Sequence, residues 1–246
     1  MAKTYSTVSF GLVSIPVSIS TAVLDNDMRF HQYHKKCLER IKYQKYCPHC
    51  KKILKDSEII KGYDEEDELI FFEKNELDAL KPENDGDIEI VSFVPLKEIE
   101  PKYYQKTYFL LPLKKNKAYF ILWQVLNKQK YVALCKMVFH NKFTYAILRC
   151  SEDIFLITTL FFEEEMKDVP VVSSPKLGNK ELELASLLVD KMKGHFEPDK
   201  YKDEYQNSLL KAIKDKAKGK KMKKSKKKKT QDISSLMEAL EKSLKE

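Results

Sequence analysis

Apolar and polar positions alternate through much of the first two thirds of the chain. From Tyr5 to Ser20 the residues are mainly Val, Ile, Ser and Thr, punctuated by Gly11 and Pro16, which predicts two strands or one kinked strand. Ile59-Ile60 and Leu69-Ile70-Phe71-Phe72 flank an acidic run, Asp64 to Glu68, and predict a hairpin with a solvated turn. Asp85-Gly86 is a turn signal, and Ile88 to Val94 follows with period-two character. Tyr103 to Leu111 reads as an aromatic-rich strand. Three more strands are expected at Tyr131 to Phe139, Phe143 to Arg149 and Ile154 to Phe162. His140-Asn141-Lys142 and Ser151-Glu152-Asp153 are their tight connections. One helix interrupts this series. Asn116 can cap it, it runs to about Lys128, and Ala118, Ile121, Leu122 and Val125 form its expected buried stripe. A mostly antiparallel β-rich body with one central helix predicts an α+β chain built on a β-barrel.

The period changes after Pro170 and Pro175. Asn179 is placed to cap a helix in which Leu182, Ala185, Leu188 and Met192 repeat at helical spacing. Pro198-Asp199 opens another, with Tyr201, Tyr205, Leu209 and Ile213 on one face, and Gly219 closes it. A lysine run follows that has nothing apolar to bury and is expected to be disordered without a ligand. Ser235-x-x-Glu238 then forms a capping box before a short helix with Ile233, Leu236, Met237, Leu240 and Leu244 on one stripe. A helix this short needs something to dock against. The predicted organisation is a barrel core over 1–170 that includes a bridging arm at 30–63, a helical arm over 171–210, a lysine-rich linker over 211–230 and an amphipathic helix over 231–246.

Charge sharpens the picture because of where it lies. The chain carries +8, and Lys211 to Lys229 alone holds twelve lysines against Asp215, so the remainder carries −3. Basicity belongs to a segment, and net charge by itself does not make the folded part a DNA binder. The tail lysines, notably Lys220, Lys221, Lys223, Lys224, Lys226, Lys227, Lys228 and Lys229, should attract any polyanion with steep salt dependence and no sequence preference. Five cysteines are odd in number and too sparse for a disulfide scaffold, which points to free thiols or a metal in a reducing interior. MAKTYSTVSF lacks the layout of a signal peptide, and no apolar run could span a bilayer. The expected setting is cytoplasmic and nucleoid-associated, with no membrane partner.

The densest chemistry lies between Phe30 and Lys52. His34-x-x-Cys37 and Cys47-x-x-Cys50 are two short-spaced pairs of the kind that meet in a structural zinc site. His31 and His49 are alternative nitrogen ligands, and unmetallated thiols are the plainer alternative. Four protein ligands would leave no open position, so any zinc here would be structural and none catalytic. Lys35, Lys36, Arg40, Lys42, Lys45, Lys51 and Lys52 surround these pairs, interleaved with Tyr33, Tyr43 and Tyr46, and make the stretch a candidate nucleic-acid surface together with Lys142. Lysine-rich faces are often only solvated surface, but clustering on a pinned element favours DNA contact. No nucleophile–base pair appears around Cys135, Cys150, His140 or His195, and no phosphate-cradling glycine loop is present. Asp153 with Glu165-x-Lys167 echoes metal-dependent nucleases in a pattern short enough to arise by chance.

The blocks His31-Gln-x-His34-Lys-Lys-Cys37, Arg40-Ile-Lys-Tyr43, Cys47-Pro-x-Cys50 and Ile59-Ile-Lys-Gly-Tyr63 together resemble the bacterial Ku family. So do Ser9-Phe-Gly-Leu-Val13 followed by Ile15-Pro-Val17, Ile99-x-Pro101-x-Tyr103-Tyr104, Glu181-Leu-Glu-Leu-Ala185, Phe196-x-Pro198-x-Lys200-Tyr201 and Leu236-Met-Glu-Ala-Leu240. Lys51 stands where that family commonly has glycine. The resemblance implies a non-enzymatic homodimer whose two copies enclose an opening through which duplex DNA threads from an end in double-strand-break repair. It also implies an ATP-dependent DNA ligase as partner, met by the helical arm and the last helix. The alternatives are a metal-dependent nuclease using Asp153, Glu165 and Lys167, and a zinc-ribbon regulator that reads an internal sequence.

Overall fold

The computed structural model describes residues 4–66, 68–82 and 87–220. The Asp85-Gly86 turn and the helix expected over 231–246 lie outside them. The chain divides into two compact units, Met1–Asn26 with Phe30–Asp168, and Asp27–Arg29 with Val169–Glu246.

The first unit is built on a closed barrel. β1 (Thr4–Phe10) and β2 (Val13–Thr21) form an antiparallel hairpin, and Gly11, at φ +56°, takes the left-handed corner between them. The remaining barrel strands are β7 (Asp87–Pro95), β8 (Tyr104–Pro112), β9 (Tyr131–Phe139), β10 (Lys142–Ser151) and β11 (Ile154–Leu160). Their order is β1-β2-β8-β11-β10-β9-β7, antiparallel throughout except for the β1–β7 pair that closes the ring. Closure leaves no free sheet edge. Inward residues at alternate positions fill the barrel: Val8 on β1, Ile15, Val17 and Ile19 on β2, Leu110 on β8 and Phe155 and Ile157 on β11 are all nearly inaccessible.

The expected helix is α2 (Lys117–Gln129), and Asn116 caps it by accepting from the Ala118 and Tyr119 N–H groups. Its buried face differs from the expected stripe. Tyr119, Leu122 and Leu126 are buried, whereas Ile121 and Val125 are 52% and 43% exposed. Tyr119 decides the rotation: its hydroxyl donates to Leu110 O at 2.6 Å and accepts from Phe155 N–H at 2.8 Å, tying α2 to two barrel strands. The connection between β9 and β10 is a two-residue turn, His140-Asn141, both left-handed, as the tight hairpin turns require; Lys142 already belongs to β10.

Between β2 and β7 the chain makes a long excursion. It carries β3 (Tyr46–Cys47), β4 (Lys52–Ile53), β5 (Lys61–Glu65), β6 (Glu68–Phe72) and α1 (Lys74–Ala79). β5 and β6 pair as a hairpin, but Ile59 and Ile60, expected in its first strand, precede β5, Asp64, Glu65 and Glu68 of the acidic run sit in the strands, and α1 was not anticipated.

The second unit holds α3 (Asn179–Met192) and α4 (Glu204–Ala217), neither with a buried residue. Asn179 is inside α3 and is not its cap; Gly178 occupies that place, and the Glu181 carboxylate accepts from its N–H at 3.1 Å. Pro198–Lys200 makes only a short 3-10 turn, and α4 begins later, where the Asp203 carboxylate accepts from Gln206 N–H at 2.8 Å. Gly219, at φ +75°, ends it as expected.

Candidate nucleic-acid interface

The arm from Phe30 to Ile60 has almost no core: nearly all its residues are exposed. Local contacts give it shape. Tyr33 and Arg40 form an isolated bridge, and His34 N–H donates to Glu39 O while Leu38 N–H donates to His34 O. The Arg40 guanidinium donates to His31 Nδ1 at 3.0 Å, and Tyr43 OH donates to Gln32 at 2.8 Å. Further on, Lys45 pairs with Asp56 at 2.7 Å and Lys52 with Glu58 at 2.8 Å. These contacts hold both carboxylates below the usual carboxylate range and raise Lys52.

The ion pairs sort the predicted DNA contacts. Lys35 and Lys36 lie on the turn between Tyr33 and Arg40, Lys42 on the extended stretch beyond it, and Lys51 on the turn between β3 and β4; none forms an ion pair with a described residue. Lys45 and Lys52 are engaged by carboxylates, and Arg40 by His31. Lys142 opens β10 and Lys220 follows α4, where it lies 3.8 Å from Asp215. Lys221, Lys223, Lys224 and Lys226 to Lys229 fall outside the described residues. Nothing in the sequence flagged Asp56 and Glu58 as partners, since pairs eleven and six residues apart lie outside the i,i+3 and i,i+4 spacings that mark neighbouring charges on a helix. Lys106, which the barrel brings to the same cleft as Lys142, was missed as well.

The candidate zinc ligands sit on two turns of the same form. His34 Nδ1 is 3.0 Å from Cys37 Sγ, and Cys50 N–H donates to Cys47 Sγ at 3.4 Å. Each turn is followed by a left-handed residue, Leu38 at φ +56° and Lys51 at φ +51°. The backbone N–H of Cys50 lowers the Cys47 thiol, and donation to Cys47 raises that of Cys50. His49 Nδ1 lies 3.9 Å from Cys50 Sγ. Among the described residues, however, no group of three or more His, Cys, Asp or Glu gathers to hold a metal. The candidate ligands stand as two pairs, one on each turn.

The nuclease pattern fares no better as geometry. Asp153 lies on an exposed turn, and the Glu165 carboxylate is occupied in accepting from Phe162 N–H at 2.8 Å. Cys135 is fully buried, which pushes its thiol up to about 12, and burial takes Cys150 to about 11, so both are inert core thiols. No described helix is long and apolar enough to cross a membrane.

Comparison with known proteins decides the family. The description "Ku70/Ku80 beta-barrel domain" matches residues 9–184, which takes in the arm and all of the barrel except the first five residues of β1. The chain belongs to the Ku family. It is 35% identical to the non-homologous end joining protein Ku of Lachnoclostridium phytofermentans, over 99% of this chain and 96% of the relative. It is 34% identical to the protein of the same name in Bacillus subtilis, over 87% of this chain and 71% of the relative, and 31% identical to that of Mycolicibacterium smegmatis, over 86% and 70%. As a Ku chain it carries its lysine-bearing arm between β2 and β7, the second and third strands of its barrel along the chain.

Proposed function

We propose that this chain binds the ends of double-stranded DNA without regard to sequence, as a ring-shaped homodimer in non-homologous end joining. The observation that carries the reading is the match of a closed barrel and its inserted arm to the Ku family over residues 9–184. A ring that encloses a duplex needs cations facing phosphates and no helix in a groove. Lys35, Lys36, Lys42 and Lys51 supply such cations on an exposed arm. The exposed apolar residues of α3 and α4, among them Leu187, Met192, Leu210 and Ile213, leave a face for a second copy to cover. The protein acts without catalysis of its own, and an ATP-dependent DNA ligase is the partner that seals the ends.

Mass measurement on the full chain tests the assembly: a dimer is expected, dissociating on Leu187→Asp, and a monomer overturns the ring. Addition of the chain should speed joining by an ATP-dependent ligase, and an unchanged rate removes the ligase from the account. Structural zinc on His34, Cys37, Cys47 and Cys50 rests on the chemistry and shape of the two turns alone. Metal analysis is expected to find zinc equimolar with the chain and to lose it in Cys47→Ser; metal-free protein that still binds ends retires the site.

A further inference from the structure

One end of the barrel carries a cleft of about 440 Å³ of which the end-binding account uses only Lys142. The first residues of β8 and β10, the last of β9 and β11, and the turn after β11 enclose it. Its volume lies within the range of small-ligand sites. Two kinds of group meet there. Phe143 and Phe162 line it with rings that remain 53% and 41% exposed, although Phe162 meets the Tyr145 ring edge to face at 6.0 Å. Lys106 and Lys142 line it with ammonium groups, and neither forms an ion pair with a described residue.

The details favour one ligand chemistry. The Tyr108 and Phe139 rings pack edge to face at 5.1 Å as part of the lining. Lys106 Nζ stands 5.7 Å from the Tyr108 ring and Lys136 Nζ 5.0 Å from the Phe143 ring, so positive charge and aromatic faces are already interleaved. Among the described residues Glu165 is the only carboxylate on the lining, and it is turned to cap the Phe162 N–H at 2.8 Å. Apolar peptide side chains would make no use of two ammonium groups, and a bare anion would make no use of exposed rings. A nucleoside phosphate uses both.

We propose that this cleft binds a single unpaired nucleotide at a DNA end, its base stacked on Phe143 and Phe162 and its phosphate held by Lys106 and Lys142. The proposal rests on the end-binding reading above and adds to it a preference for overhanging over blunt ends. Stacking of this kind tolerates any base.

The test uses the full chain and duplexes that are blunt or carry one unpaired 2-aminopurine at a 3′ or a 5′ end, with free 2-aminopurine nucleotide as a further arm. Binding is expected to quench the unpaired base severalfold. Phe143→Ala is expected to abolish the quenching and to weaken overhang binding roughly 10-fold, the order that one lost base–aromatic stack gives, while blunt binding stays unchanged. Phe143→Tyr, which keeps a ring, retains both effects and guards against a folding artefact. Bound duplex with no quenching, or an overhang-to-blunt ratio unaltered by Phe143→Ala, overturns the cleft and leaves end binding standing. Strong quenching of the free nucleotide, with no preference for the overhang, overturns the DNA end as its source. Failure of the unaltered chain to bind any duplex overturns both readings.

Discussion

At the scale of single residues, charge and backbone conformation make separable predictions. Each of Lys35, Lys36, Lys42 and Lys51 that faces a phosphate should lower the salt slope of duplex binding by about one when replaced by Ala. Lys45→Ala and Lys52→Ala should alter it less, because Asp56 and Glu58 already engage those ammonium groups. Salt titrations of the single variants check both; equal effects at all six positions contradict the assignment. Lys51 also pays a conformational cost at φ +51°. Lys51→Gly should therefore raise stability by about 1 kcal/mol in denaturant unfolding while removing one DNA contact. The sequence marked Lys51 as a departure from the family's usual glycine, and the backbone there shows why glycine suits the position. Tyr119→Phe should cost about 1–3 kcal/mol, since Phe155 N–H and Leu110 O then lose a buried partner.

At the scale of elements, α2 separates what pattern shows from what packing decides. Leu122→Ala should destabilise by about 2–5 kcal/mol and Ile121→Ala by no more than about 0.5 kcal/mol, although the sequence stripe ranks them together. The strands, the Asn116 cap and the Gly219 stop were legible because alternation, capping and left-handed corners are local signals. The rotation of α2 was not, because a tyrosine hydroxyl bonded to two strands outweighs a broad apolar stripe. The caps of α3 and α4 were misplaced for a related reason: Glu181 and Asp203 bond backbone N–H groups that a proline or asparagine nearby seemed to claim. In the arm, the cysteine and histidine pairs were legible as turns but not as one site, since spacing says nothing of whether two turns converge. The two arm ion pairs should persist as pH falls to the ordinary carboxylate value of about 4. Asp56 and Glu58 are lowered in the folded arm, so the pairs' contribution is complete above that value and disappears as pH drops through the lowered ones. Hydrogen exchange across 45–58 at stepped acid pH should show protection lost only below about 4; loss near neutrality contradicts the bracing.

At the scale of the whole molecule, a barrel without edges, an exposed basic arm and a helical unit with no buried side chain among its described residues make one account. The barrel is closed by itself, whereas the arm leaves its lysines exposed and the helices leave apolar residues exposed, the surfaces that the proposed duplex and second copy would cover. The account therefore stands on topology: the protein should reach a duplex only through an end. The direct measurement is binding of the full chain to a linear duplex and to the same duplex closed into a circle, at moderate salt. Retention on the linear form alone, with more copies loading as its length grows, is the predicted result. Equal binding to both forms would show that the tail lysines account for the affinity and would contradict the ring.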